Sequence, residues 1–171
     1  MSPSSSPILF REEQRWRDVW WVMLLVFGIA AIQWYGLIQQ LILGQPFGNN
    51  PAPDILLILI WLLFGIGLPI FFLILRLVVE VHPEAVAIRY WPLFTRVIPL
   101  AEIDGVEVID YRPLGEFGGW GIRGWGRRVA YNVRGSRGIE LTLIDDRKVL
   151  LGSQRAEELG TVIQTLRRGP D

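Results

Sequence analysis

The chain has no cysteine and a single histidine, His82. Disulfides, thiolate nucleophiles and cysteine-ligated metals are thereby excluded. His82 stands before Pro83 with no second ligand near it in sequence and reads as a turn or interfacial residue. Lysine is nearly absent too, since every basic residue except Lys148 is arginine. The two most apolar stretches contain no acidic residue and no histidine. A proton relay, an ion site or a histidine axial ligand within them is therefore not expected. An enzyme would need paired acid and base groups in a pocket, and no such pair is recognisable. Ser153 lacks a base near it in sequence. The chain reads as non-enzymatic, with no catalytic residue, no cofactor and no metal site.

What the chain does have is apolar length. Of its 171 residues, 51% are hydrophobic. One apolar run extends from about Val19 to Leu43 and a second from about Ile55 to Val79. Each exceeds the roughly 18–20 apolar residues that cross a bilayer as a helix. A helix is the form expected there, because backbone groups in lipid must be satisfied within the segment. The first run is too long for the apolar core of a signal peptide, and no small-residue cleavage site follows it.

The link between the runs, Gly44–Asp54 (GQPFGNNPAPD), carries no Lys or Arg. Arg11, Arg15 and Arg17 precede the first run, and Arg76, Arg89 and Arg96 end or follow the second. The positive-inside rule then places both termini in the cytoplasm of a multi-pass protein of the cytoplasmic membrane. Residues 1–17 form a cytoplasmic tail, residues 18–79 a two-helix transmembrane hairpin (about 19–43 and about 55–79), and residues 80–171 a cytoplasmic domain. The opening MSPSSSP is too poor in apolar residues to fold alone.

Within the hairpin, Gln33 and Gln40 are seven residues apart and share a helix face. Amides in lipid join helices when they are paired, so these two either bond within the hairpin and reach the outer headgroups or pack against another membrane protein. Gly65 and Gly67 stand just before Pro69 and predict close helix approach and a kink.

From Val78 the pattern becomes short strands separated by turns: Val78–Val81, Ala85–Tyr90, Arg96–Leu100, Ile103–Tyr111, Val129–Val133, Gly138–Ile144 and Lys148–Leu151. Strands this short and closely spaced predict a small antiparallel barrel or sandwich of about seven strands. Ser153 is an N-cap for a closing amphipathic helix with Leu159, Val162, Ile163 and Leu166 at helical spacing. Arg167 and Arg168 sit at its C-terminal end, where the helix dipole favours them.

This layout resembles the bacterial pleckstrin-homology-like (PH-like) domain. The stretch Val97–Val108, VIPLAEIDGVEV, is similar to the segment of that group in which an IPL strand leads into the next strand. Gly118–Arg123 (GGWGIR), Ala130–Leu141 (AYNVRGSRGIEL) and Val149–Leu159 (VLLGSQRAEEL) resemble segments of a small uncharacterised two-helix membrane family with such a domain at its C-terminus. The resemblance implies a PH-like fold behind a membrane hairpin. It implies no chemistry.

The most unusual segment is Gly115–Arg128, GEFGGWGIRGWGRR. Its Gly119-Trp120-Gly121-Ile122-Arg123-Gly124 satisfies G-x-G-x-x-G, but no helical pattern follows, so a dinucleotide site is excluded. The segment carries Trp120, Arg123, Trp125, Arg127 and Arg128; Arg134 and Arg137 follow, and no acidic residue occurs between Glu116 and Glu140. Tryptophan with arginine suits an anionic membrane surface and equally a protein interface. The plain alternative is that the tryptophans cover one end of the barrel and the arginines are solvated or paired. Overall neutrality and the membrane anchor argue against nucleic acid. The function expected is a membrane-anchored interaction module, acting as scaffold, assembly factor or accessory subunit, with membrane lipid and a membrane-protein partner or a second copy as its contacts. An anionic-lipid-binding or envelope-stress module is the alternative.

Overall fold

A computed structural model describes residues 7–168, apart from the Trp125 side chain. Most of the MSPSSSP tail lies outside the described residues. The chain forms two compact units, one of residues Arg15–Leu75 and one that joins residues up to Gln14 with those from Arg76 onward.

The first unit is a helical hairpin. Helix α1 spans Trp20–Ile42 and helix α2 spans Asp54–Ile74. By length and composition both are apolar enough to cross a membrane. Each contains a wide π turn, at Ile38–Ile42 in α1 and at Trp61–Gly67 in α2. The turn in α2 has a local cause. Pro69 carries no N–H, so the carbonyl four residues back, that of Gly65, loses its helical partner. The Trp34 indole N–H of α1 donates to that carbonyl at 3.3 Å. An orphan carbonyl in lipid would cost several kcal/mol, and here the neighbouring helix supplies the donor.

Among the described residues the second unit holds nine strands. One sheet has the order β1-β2-β3-β4, from Phe10–Arg15, Arg76–Val81, Ala85–Trp91 and Phe94–Pro99. The other has the order β5-β8-β9-β7-β6, from Ile103–Asp110, Arg137–Leu143, Lys148–Gly152, Arg128–Asn132 and Gly121–Trp125. A short helix, α3 (Pro113–Phe117), precedes β6, and α4 (Ala156–Arg168) ends the fold. Helix α4 packs on β5 and β8. Its Leu159 and Ile163 are fully buried, as their helical spacing predicts.

Four expectations are corrected. Among the described residues the strands form two sheets and no closed barrel. Nine strands replace about seven, the additions being β1 and β6. The arrangement is not wholly antiparallel, because β7 and β9 run parallel, with Ala130 opposite Leu150. The apolar run from Leu75 to Val79 does not continue the second helix: α2 stops at Ile74, and Leu77, Val78 and Val79 belong to β2. Leu75 is already extended, with φ −65° and ψ 124°.

Strand β1 lies in the segment read as a tail. It adds to the edge of β2, with the Leu9 N–H bonded to the Val81 carbonyl at 2.9 Å. Phe10, Glu12 and Gln14 alternate inward and are buried, as the two-residue period of a strand requires. Two of these are polar because of what they meet. The Glu12 carboxylate accepts the Ser153 hydroxyl, the Gln154 N–H at 2.9 Å and the Gln14 amide at 2.9 Å. The Gln14 amide also donates to the Gly152 carbonyl at 2.8 Å. The Ser153 hydroxyl in turn accepts the Arg155 N–H at 3.0 Å, the bond expected of an N-cap. A strand that precedes the hairpin therefore caps the helix that ends the chain.

Candidate functional site

The segment Gly115–Arg128 holds the end of helix α3, strand β6 and the turn into β7. Helix α3 ends at Gly118 in the left-handed region, with φ +68°. Three residues on, Gly121 donates its N–H to the Asn132 side-chain oxygen at 2.7 Å and starts β6. Strand β6 pairs antiparallel with β7 from Gly121↔Asn132 to Trp125↔Arg128. Gly124 has φ +81°, and a Cβ there would overlap the Arg128 carbonyl oxygen. The G-x-G-x-x-G spacing thus serves a turn and a tight strand pairing, and a strand follows it where a dinucleotide site needs a helix.

Asn132 holds this corner together. It is fully buried, receives Gly121, and donates its amide to the Tyr111 hydroxyl at 3.1 Å. Burial raises the Tyr111 pKa, and the bond from Asn132 only partly offsets this.

The basic residues separate into two sets. Arg128 is engaged within the fold. Its guanidinium bonds Glu140 at 2.9 Å, lies 3.6 Å from Glu116, and stacks 4.9 Å from the centre of the Phe117 ring. Lys148 bonds the other Glu140 oxygen at 2.6 Å. Arg137 pairs with Asp110 at 3.7 Å and with Glu157. By contrast, Arg123, Arg127 and Arg134 are exposed and form no ion pair among the described residues. Arg123 is steadied by its bond to the Trp120 carbonyl at 3.0 Å. Trp120 is half-buried, and its indole N–H donates to the Gly135 carbonyl at 2.9 Å. Trp125 ends β6, and its side chain lies outside the described residues. The order of the second sheet makes β6 an edge strand, so Arg123 and Arg127 flank an open backbone edge, the kind of surface that accepts partners.

Glu140 lies on β8, within reach of Arg128 on β7 and Lys148 on β9, with a side chain only 7% exposed. Burial alone would raise its pKa. The bond from Lys148 and the charge of Arg128 more than reverse that, so the carboxyl titrates below its ordinary value. The sign for stability follows. A lowered folded-state pKa adds stability above the unfolded value of about 4.3, and this is lost as pH falls through the lower folded value. Glu140→Gln should therefore destabilise the β-sheet unit by about 1–3 kcal/mol at neutral pH. The lower end is expected, because solvent screens the two cations. Melting curves of the purified protein between neutral and strongly acidic pH should show the difference between wild type and variant shrinking at acid pH. A constant difference would contradict this assignment.

In the hairpin, Gln40 donates to the Ala52 carbonyl at 2.8 Å and to the Asp54 carboxylate at 2.7 Å, tying the end of α1 to the start of α2. Gly65 is buried where the helices meet, and a Cβ there would come within 2.7 Å of the Trp61 ring and 3.4 Å of Gln33. Gln33 is the polar member of an otherwise apolar groove of about 530 Å³ along the helices, lined also by Val26, Ile29 and Phe64. Gly67 faces only the backbone of its own helix, 3.2 Å from the Leu62 carbonyl oxygen. Of the four residues expected to pack helices, Gly65 marks the contact, Gln40 closes the turn, and Gln33 stays available on the groove.

Two of the three supporting residues escape a reading of the sequence. Glu12 looks like one charge among several before the first span. Glu140 looks like an ordinary strand residue. Asn132 was legible in principle, because an amide between Tyr131 and Val133 in an apolar strand signals an internal bond.

A family model described as a family of unknown function, DUF6141, matches residues 1–166. The chain belongs to DUF6141. No curated protein and no solved structure matches it. The DUF6141 match takes in β1, the hairpin, both sheets and most of α4. The match therefore spans both the hairpin and the sheets, and its description assigns no activity.

Proposed function

We propose that this member of DUF6141 is a membrane-anchored interaction module, acting as scaffold, assembly factor or accessory subunit of a membrane complex. The observation that carries the reading is the pairing of β1 with β2. These strands flank the hairpin in sequence and neighbour each other in one sheet. A segment that leaves from one sheet edge and returns to it must cross a bilayer an even number of times, as two apolar helices do. Anchoring then holds the sheets at the membrane and raises their effective concentration for membrane-bound partners.

The recognition surface in this reading is edge strand β6 with Arg123 and Arg127, supported by Trp120. Arginine and tryptophan are the favoured anchors of interfaces. The sheet unit is read as PH-like, in a bacterial cytoplasmic membrane with both termini inside, on the arginines that flank the apolar runs. The groove beside Gln33 would receive a helix of the partner or of a second copy.

The test is to purify the tagged full chain from its native membranes in mild detergent. The expected result is stoichiometric recovery of another membrane protein, lost when Arg123→Glu and Arg127→Glu are combined. Recovery of the chain alone in both cases would sink the module reading. The second reading, an anionic-lipid-binding or envelope-stress module, draws on the absence of ion pairs at Arg123, Arg127 and Arg134 among the described residues, each worth about 1 kcal/mol near an anionic surface. Retained anionic lipid in place of a protein partner would favour it.

A further inference from the structure

The turn between β3 and β4 exposes apolar side chains that the core does not enclose. Trp91 is 47% exposed and Leu93 51%, with Pro92 exposed between them. The turn itself is firmly built. Tyr90 pairs with Phe94, their rings stack at 6.1 Å, and the Leu93 N–H bonds the Tyr90 carbonyl at 2.7 Å. The Arg76 guanidinium lies 5.4 Å from the centre of the Trp91 ring.

The register says which end of the sheet this is. Trp91 pairs with Arg76, and Arg76 follows the last residue of α2, Ile74, with only Leu75 between. Two residues of chain reach at most about 7 Å, and paired strand residues lie about 5 Å apart. However the two units are turned, the Trp91 backbone is thus held within roughly 12 Å of the end of the apolar span. The headgroup zone on one side of a bilayer is itself about 5–8 Å thick. Tryptophan is the residue that settles there, with its ring in the boundary and its N–H toward water.

We infer that the turn Trp91-Pro92-Leu93 is a second membrane contact, seated in the interfacial zone of the bilayer that α1 and α2 cross. This rests on the anchoring reading above. It adds that the sheet unit is pinned to the lipid surface at one end instead of swinging on its tether. Strand β3 runs from Ala85 to Trp91, so the opposite end at Glu84 lies roughly 20 Å from Trp91 along the strand.

The absence of cysteine makes the test direct. Leu93→Cys, Leu59→Cys and Glu84→Cys, each alone in the full chain, carry an environment-sensitive fluorophore. The proteins are reconstituted in phosphatidylcholine–phosphatidylglycerol vesicles containing doxyl-labelled lipid. Leu59 lies within α2 and is exposed, and Glu84 is exposed at the far turn. The expected result is that the probes at Leu93 and Leu59 lose most of their emission to the quencher and the probe at Glu84 does not. Quenching at Leu59 with none at Leu93 would overturn the inference and leave the anchor standing. Quenching at neither would overturn both. A probe at Leu93 that is blue-shifted but unquenched would mean that a second copy covers the turn, which also overturns the inference.

Discussion

Replacing Glu12 by alanine is expected to lower the melting temperature of the sheet unit by roughly 10–20 °C. The carboxylate is buried and accepts the Ser153 hydroxyl, the Gln154 N–H and the Gln14 amide. Removing it strands the Ser153 and Gln154 donors at the start of α4 and leaves the Gln14 amide with the Gly152 carbonyl alone. An unsatisfied buried donor costs about 1–3 kcal/mol. Relaxation and water entry recover part of this, leaving a loss of about 3 kcal/mol. Glu12→Gln keeps the shape and one acceptor and should lose about half as much. Circular dichroism of the full chain in detergent measures both. A melting temperature unchanged in the alanine variant would show that β1 does not dock against α4, and the discontinuous sheet unit would be wrong.

The second large effect is expected at Gly124. Alanine there must adopt φ +81° and place its Cβ into the Arg128 carbonyl oxygen. The left-handed backbone alone costs about 1–2 kcal/mol, and the overlap adds to it. The pairing of β6 with β7 should open while the central strands persist, because β6 is an edge. Hydrogen exchange should accelerate over residues 121–132 and stay slow in β8 and β9. Partner capture should be lost together with the pairing, although Arg123 and Arg127 are both retained. Normal capture with an opened β6 would mean that recognition does not need the strand.

These two sites also show what the sequence could convey. Both apolar helices were legible, because length and composition decide a span. So was a disturbance before Pro69, where α2 carries its π turn, since a missing N–H acts locally, and so was α4, whose apolar residues recur at helical spacing. Strand β1 was not. Its inward residues are Phe10, Glu12 and Gln14, and two polar side chains erase the alternation that marks a strand. Their burial depends on Gly152, Ser153 and Gln154, far along the chain. The end of α2 was hidden for the opposite reason, because Leu77–Val79 of β2 is as apolar as the helix before it and periodicity cannot divide such a run. The parallel pairing of β7 with β9 is set by tertiary packing and has no local signature.

The candidate site was half legible. The composition of Gly115–Arg128 marked the segment as unusual and identified its arginines. It could not show that Arg128 lies against Glu140 and Phe117 while Arg123 and Arg127 remain free of acidic partners among the described residues. That division depends on register, since Arg128 opposes Lys148 across β7 and β9 and both reach the same buried carboxylate.

The measurement that tests the central claim most directly is sidedness. Single cysteines at Ile8, Asn49 and Glu84, all exposed, are introduced one at a time and labelled in sealed vesicles with a membrane-impermeant maleimide. The account predicts that Ile8 and Glu84 label from one side and Asn49 only from the other. Asn49 labelling from the same side as both would show that the hairpin does not cross the membrane. Ile8 and Glu84 on opposite sides would show that β1 and β2 do not share a sheet.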